Sequence, residues 1–225
     1  MKRQEFGKAA SELGIELRPE QLDQFETYEQ NLYEANEVMN VTRVPREECW
    51  LRHFVDSLLL SSLIPEGAKV LDIGTGPGLP AWPLACARPD IQVTALDSSG
   101  KMIGFLSKQA LPNLKPVNGR AETWGKREAF DFVTGRAVAP LGIQLELSAP
   151  AAKVGGLVVL MRTPNDAHAI KTFPPEELGL RLKEVRETSM PDTDVVRLFP
   201  IFEKVSKTVR QYPRQWAEIK RDPLG

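Results

Sequence analysis

The sequence predicts an α/β protein: a mostly parallel sheet with helices on both faces, preceded by a helical cap. Three observations carry this. Short β-rich apolar runs at 70–73, 93–96, 130–134 and 157–161 alternate with helically patterned segments at 81–87, 99–111 and 141–152, the crossover pattern of right-handed βαβ units. A turn bearing Gly74, Gly76 and Gly78 directly follows the first run. Two further β runs, 181–188 and 195–205, close the chain without a helical spacer, as an antiparallel finish does.

The first 65 residues read as helices. Leu22, Phe25, Tyr28, Leu32 and Tyr33 recur at three- and four-residue steps, one apolar stripe on a helix starting near Pro19. A second helical stretch follows Pro45, with Leu51, Phe54, Val55, Leu58 and Leu59 on one face, and stops before Pro65. The β-rich text begins at Lys69. A third strand placed just before Ala121 makes the 130–134 run the fourth, and the sheet seven-stranded. Pro200 lies inside the last run without an N–H to donate, which predicts a bulge or interruption there. The implied organisation is a cap at 1–65, a sheet domain at 66–207 and a tail at 208–225.

Composition agrees with a soluble globular chain of one domain plus a small extension: 225 residues, 42% hydrophobic and 26% charged. No apolar run approaches the roughly 20 residues of a membrane span, and the N-terminus lacks a signal peptide's continuous apolar stretch. Cys49 and Cys86 form no CxxC, and with two His they make neither a disulfide framework nor a zinc site. A cytoplasmic, metal-free protein is expected. Charge is uneven: residues 1–65 hold seven basic and twelve acidic groups, residues 197–225 seven basic and three acidic. Overall neutrality opposes a protein that grips nucleic acid everywhere. The basic end suits a local phosphate contact or a solvated tail.

The glycine turn occupies the ligand crevice of a doubly wound sheet. A dinucleotide would need G-x-G-x-x-G; this chain reads G-x-G-x-G, with Leu79 where the third dinucleotide glycine belongs. Asp72 stands immediately before the turn, repelling a pyrophosphate and attracting an ammonium and a sulfonium. Asp97 ends the next strand, 19 residues after Gly78, where a carboxylate can take both hydroxyls of a ribose. The turn suits S-adenosylmethionine better than NAD; a tight turn with no ligand is the bland alternative. At the end of the fourth strand, 130–137, there is no (N/D)-P-P-(Y/F) for an exocyclic amine. Neither Cys is placed as a nucleophile for carbon, and no base or metal constellation suggests an oxygen acceptor. Guanine N7 carries a free lone pair and loses no proton, so positioning alone serves it.

Further motifs carry a resemblance. Asn40-Val41-Thr42 and Arg52-His53-Phe54-Val55-Asp56-Ser57 precede Asp72-Ile73-Gly74-Thr75-Gly76-Pro77-Gly78-Leu79-Pro80. Leu96-Asp97-Ser98, Lys101, Phe105-Leu106, Gly119-Arg120-Ala121-Glu122 and Gly135-Arg136-Ala137-Val138-Ala139 follow, then Arg197, Lys204-Val205, Tyr212-Pro213-Arg214 and Pro223-Leu224. Over nearly its whole length the chain resembles the RsmG (glucose-inhibited division protein B) family. The resemblance implies a class I, Rossmann-like methyltransferase fold and transfer of methyl from S-adenosylmethionine to N7 of one guanine in 16S rRNA, alone or in the small subunit. The family's cofactor contacts fall on Gly74, Leu79, Ala121, Glu122 and Arg136, beside Asp72, Gly76, Gly78 and Asp97 from the residue reading. The chain departs from the family pattern at Ala81, at Met102 and at Arg162-Thr163, which replaces Lys-Gly.

His53 and Asp56, one turn apart, form either a catalytic pair or a structural one. In the tail, Arg210, Arg214, Lys220 and Arg221 are candidate RNA phosphate contacts, with Tyr212 a candidate stacking ring; the alternative is that 212–214 pins the tail. A monomer with no membrane partner is expected. The rival functions are a methyltransferase with a small-molecule acceptor and a noncatalytic RNA-binding assembly factor.

Overall fold

A computed structural model describes residues 2–191 and 193–225. The chain opens with α1 (Arg3–Glu12) and α2 (Pro19–Met39). The stretch after Pro45 is one irregular helix: a 3₁₀ turn at Arg46–Glu48, a π turn at Trp50–Val55, α3 (Asp56–Leu58) and a second 3₁₀ turn at Ser61–Leu63. Then come β1 (Lys69–Ile73), α4 (Ala81–Ala87), β2 (Gln92–Asp97), α5 (Gly100–Leu106), β3 (Leu114–Asn118), β4 (Phe130–Arg136), α6 (Leu141–Ser148) and β5 (Ala152–Met161). The chain ends with α7 (Ala167–Thr172), β6 (Leu180–Ser189), β7 (Val196–Lys204) and α8 (Trp216–Arg221).

The seven strands lie in the order β3-β2-β1-β4-β5-β7-β6. Pairs among β1 to β5 are parallel, and β7 runs antiparallel to both β5 and β6. Strand order reverses between β1 and β4, so a crevice opens beyond their carboxyl ends. Adjacent residues enter opposite layers, as a period of two requires. Val70, Phe132 and Val159 join one apolar cluster; Leu71, Val133 and Val158 join the other. Burial on both faces is why these strands read as unbroken apolar runs.

The helical cap is a layer of that core rather than a separate body. Phe6, Phe25, Tyr28 and Phe54 belong to one cluster with Val70, Trp82 and Ile201. Tyr28 OH donates to the Pro77 carbonyl at 2.9 Å, and Gln21 Nε2 to that of Cys86 at 2.6 Å. Cys49 and Cys86 are buried free thiols.

Several boundaries shift for identifiable reasons. The expected 99–111 helix stops at Leu106, where Lys108 and Gln109 bond back only three residues as the chain tightens towards Pro112. The 141–152 helix stops at Ser148, because Pro150 has no N–H for a continuing turn. Pairing of β5 with β7 runs as far as Val159↔Ile201, lapses opposite Pro200 and resumes at the Arg162↔Leu198 bridge. That is the expected interruption. β6 bulges at Lys183, between Leu182↔Phe202 and Glu184↔Ile201.

Candidate functional site

The loop after β1 is stitched to the end of β2. Gly74 and Thr75 donate their N–H groups to the Leu96 carbonyl, at 2.8 and 3.1 Å. Asp97 accepts from Gly76 N–H (Oδ2, 2.8 Å) and Ser99 N–H (Oδ1, 2.7 Å). Each oxygen keeps one acceptor position for a ligand. Gly76, at φ 57°, has open space where a Cβ would stand, so a ligand can approach the backbone. Gly78 serves packing instead: a Cβ there would lie 2.5 Å from Leu106 Cδ1.

Two lobes meet at Gly74 and Ala137. The first, about 350 Å³, is bounded by Asp97, Ala121, Glu122 and Arg120, and by Trp216 from α8. The second is a wider mouth of about 730 Å³, bounded by Gly76, Leu79, Thr42 and His53. Arg43, Arg52, Arg136, Arg162 and Arg197 also line it, against Asp56 and Asp166. Ala137 takes φ 53°, a left-handed conformation that costs a non-glycine residue roughly 1–2 kcal/mol.

The mouth is braced by one buried carboxylate. Asp56 is 2% exposed, accepting from Arg136 Nη1 (3.0 Å) and Arg197 Nε (2.7 Å). Arg136 Nη1 also donates to the Arg52 carbonyl at 3.2 Å, and Nη2 lies 3.3 Å from His53 Nδ1. A guanidinium only donates, so Nδ1 is the accepting nitrogen. The ring proton is thereby on Nε2, which stands 2.7 Å from Thr42 Oγ1. Burial, then the Arg136 charge, pushes the imidazole down to about 3, so it is neutral at pH 7. His53 and Asp56 meet through Arg136 rather than as an acid–base pair, the structural alternative of the two.

Beneath the loop, Asp72 is wholly buried and lines neither lobe. Its Oδ2 accepts from Ala81 N–H at 3.2 Å. Thr75 stands close enough to favour the ionised carboxyl, but Asp72 Oδ1 and Thr75 Oγ1 each lack a properly aligned partner. Burial pushes this carboxyl up to about 7, opposed by Thr75, the Ala81 N–H and Arg136. Gly78 likewise lines neither lobe. Gly74, Gly76, Leu79, Asp97, Ala121, Glu122 and Arg136 do line the two lobes.

In the tail, residues 212–214 take the pinning alternative. Arg214 grips the fully buried Glu146 of α6 through Nε at 2.9 Å and Nη2 at 2.6 Å, leaving no free charge for a phosphate. The Tyr212 ring is buried, with its OH donating to Glu177 Oε2 at 3.0 Å, so it is no stacking platform. Arg210, Lys220 and Arg221 are exposed, and none lines the mouth.

Arg43, Asp166 and Trp216 had no site role in the sequence, and a tryptophan in a polar tail is the hint of the last. The Arg162 departure is structural: its Nη1 donates to the Ala139 carbonyl at 2.9 Å and its Nη2 to Gln144 Oε1, fixing the loop after β4.

A reversed parallel sheet, a glycine turn at the reversal and a carboxylate ending the neighbouring strand define a class I, Rossmann-like methyltransferase. The family model for rRNA small subunit methyltransferase G, GidB, matches residues 21–193. The chain is 38% identical to ribosomal RNA small subunit methyltransferase G of Lactobacillus delbrueckii subsp. bulgaricus, over 97% of this chain and 98% of that one. It is 36% identical to the like-named protein of Bacillus cytotoxicus, over 100% and 99%. A TehB-like SAM-dependent methyltransferase from Corynebacterium glutamicum shares the fold, with a TM-score of 0.54 and 18% identity over 80% of this chain and 99% of that one. The chain belongs to the rRNA small subunit methyltransferase G family, whose members are methyltransferases of small-subunit ribosomal RNA.

Proposed function

We propose that this protein transfers a methyl group from S-adenosylmethionine to N7 of an unpaired guanine in small-subunit rRNA, working as a cytoplasmic monomer. The observation that carries the reading is the pair of lobes joined at Gly74 and Ala137. One offers a ribose-type carboxylate, the other five arginines against two aspartates.

The residues fit the cosubstrate. Asp97 at the first lobe, with Asp72 beneath the loop, makes surroundings that favour a cation over a pyrophosphate. Open space at Gly76 and the unpartnered Thr75 hydroxyl lie on the same turn. Bound there, S-adenosylmethionine supplies a methyl group activated by its sulfonium charge. Asp97 takes the ribose hydroxyls, Ala121 and Glu122 border the purine, and Gly74, Gly76 and Leu79 line the passage to the mouth.

Guanine N7 has its lone pair in place, so the protein need not remove a proton. The groups lining the mouth accord with that: both Asp56 oxygens hold Arg136 and Arg197, and the His53 nitrogens are taken by Arg136 and Thr42. Positioning, worth up to roughly 7–11 kcal/mol, is then the main contribution. Arg43 and Arg52, exposed at the rim, meet the RNA phosphates. N7 is hidden in the deep groove of an RNA helix, hence the unpaired target. Labelled methyl transfer to unmodified small-subunit rRNA tests the reading. Turnover beyond one methyl per protein supports it; stoichiometric RNA binding without transfer, or transfer to small molecules alone, contradicts it.

A further inference from the structure

The C-terminal segment is docked along its length. Arg127 donates from Nη1 to the Tyr212 carbonyl and from Nη2 to that of Thr208, both at 2.7 Å. Tyr212 is tied to Glu177, and Arg214 to the buried Glu146. Ile219, fully buried, packs with Ile143 and Leu147 of α6. These contacts fix α8, and α8 carries Trp216 to the rim of the first lobe, which Asp97, Ala121 and Glu122 also line. The Arg120 guanidinium, 5.5 Å from the Trp216 ring centroid, also pairs with Glu122. The indole therefore stands against Arg120 beside a cavity of about 350 Å³.

We infer that Trp216 is a wall of the purine subsite, closing on the adenine of the cosubstrate, and that residues 208–225 are the strap that fixes this wall. The inference rests on the cosubstrate reading above. A planar indole offers a large apolar surface at little entropic cost, and its burial against a base is sequence-distant chemistry that a basic tail conceals.

The test uses the full chain, with adenosine and S-adenosylhomocysteine titrated by calorimetry into wild type, Trp216→Ala and Trp216→Phe. Loss of the aromatic contact with the base means that Trp216→Ala should weaken both ligands by about tenfold, while Trp216→Phe keeps most of the affinity. Unchanged affinity for adenosine in a folded Trp216→Ala protein overturns the inference, as does weakening confined to S-adenosylhomocysteine. Should Trp216→Ala not fold, Trp216→Leu keeps apolar bulk without a ring, and the same adenosine criterion decides. Wild type that binds neither ligand refutes the cosubstrate reading itself, and the inference with it.

Discussion

Asp72→Asn separates the stability of the glycine turn from its function. The wild-type carboxyl is fully buried, with one oxygen on the Ala81 N–H and the other unpartnered, and burial lifts its pKa from 3.8 to about 7. The unfolded chain titrates at the lower value, so between the two the native state holds one proton more. Stability from this group is thus full below about pH 4 and is lost as pH rises through 7. Each pH unit of that window is worth about 1.36 kcal/mol, giving a ceiling of about 4 kcal/mol. Asparagine keeps an oxygen for the Ala81 N–H, can donate towards Thr75 Oγ1, and never ionises. Urea denaturation of both proteins without cosubstrate, at pH 4.5 and pH 8, should show the variant gaining at least about 1 kcal/mol on wild type at the higher pH. A stability difference that stays constant across that range would refute the buried, ionisation-resisting carboxyl. The same variant should bind S-adenosylmethionine more weakly at pH 8, because the negative charge beneath the loop is gone.

Asp56→Ala leaves two guanidinium groups without their shared carboxylate and should cost about 3–5 kcal/mol in chemical denaturation; a loss under 1 kcal/mol would contradict the bracing role. Ala137→Gly removes a left-handed alanine and should raise stability by about 1 kcal/mol, read as an increase in Tm. Replacing Arg43 and Arg52 by Gln should flatten the dependence of log RNA affinity on log salt by about 0.7 per lost contact. Replacing Lys220 and Arg221 should leave that slope unchanged; the opposite pattern would return the RNA to the tail.

The sheet was legible because its central strands are buried on both faces, and the glycine turn because positive φ and close approach leave few alternatives to glycine. β3 left almost no trace: Leu-Lys-Pro-Val-Asn has two apolar residues and a proline, tolerated because β3 is an edge strand. Asp97 was readable from spacing, since it ends a strand at a fixed distance from the turn. Asp56 was visible only as a helix neighbour of His53, because Arg197, one of its partners, lies 141 residues away. Arg214 was misread as a free charge for the same reason. The tail's charge excess is plain in the sequence, but the buried Glu146 that neutralises Arg214 sits 68 residues earlier in a helix with no other charged residue. Local pattern reports which residues are charged, and only the fold reports which charges are already spoken for.

The most direct test of the whole account is the position of the methyl group on the RNA product. Unmodified small-subunit rRNA, incubated with the protein and S-adenosylmethionine, is digested for nucleoside mass analysis and, in parallel, treated to cleave at N7-methylated guanine. The account predicts a single methylated guanosine, strand scission at one unpaired guanine, and loss of both signals in an Asp97→Ala protein that still folds. A methyl group on an exocyclic amine, on ribose or on another base would contradict it.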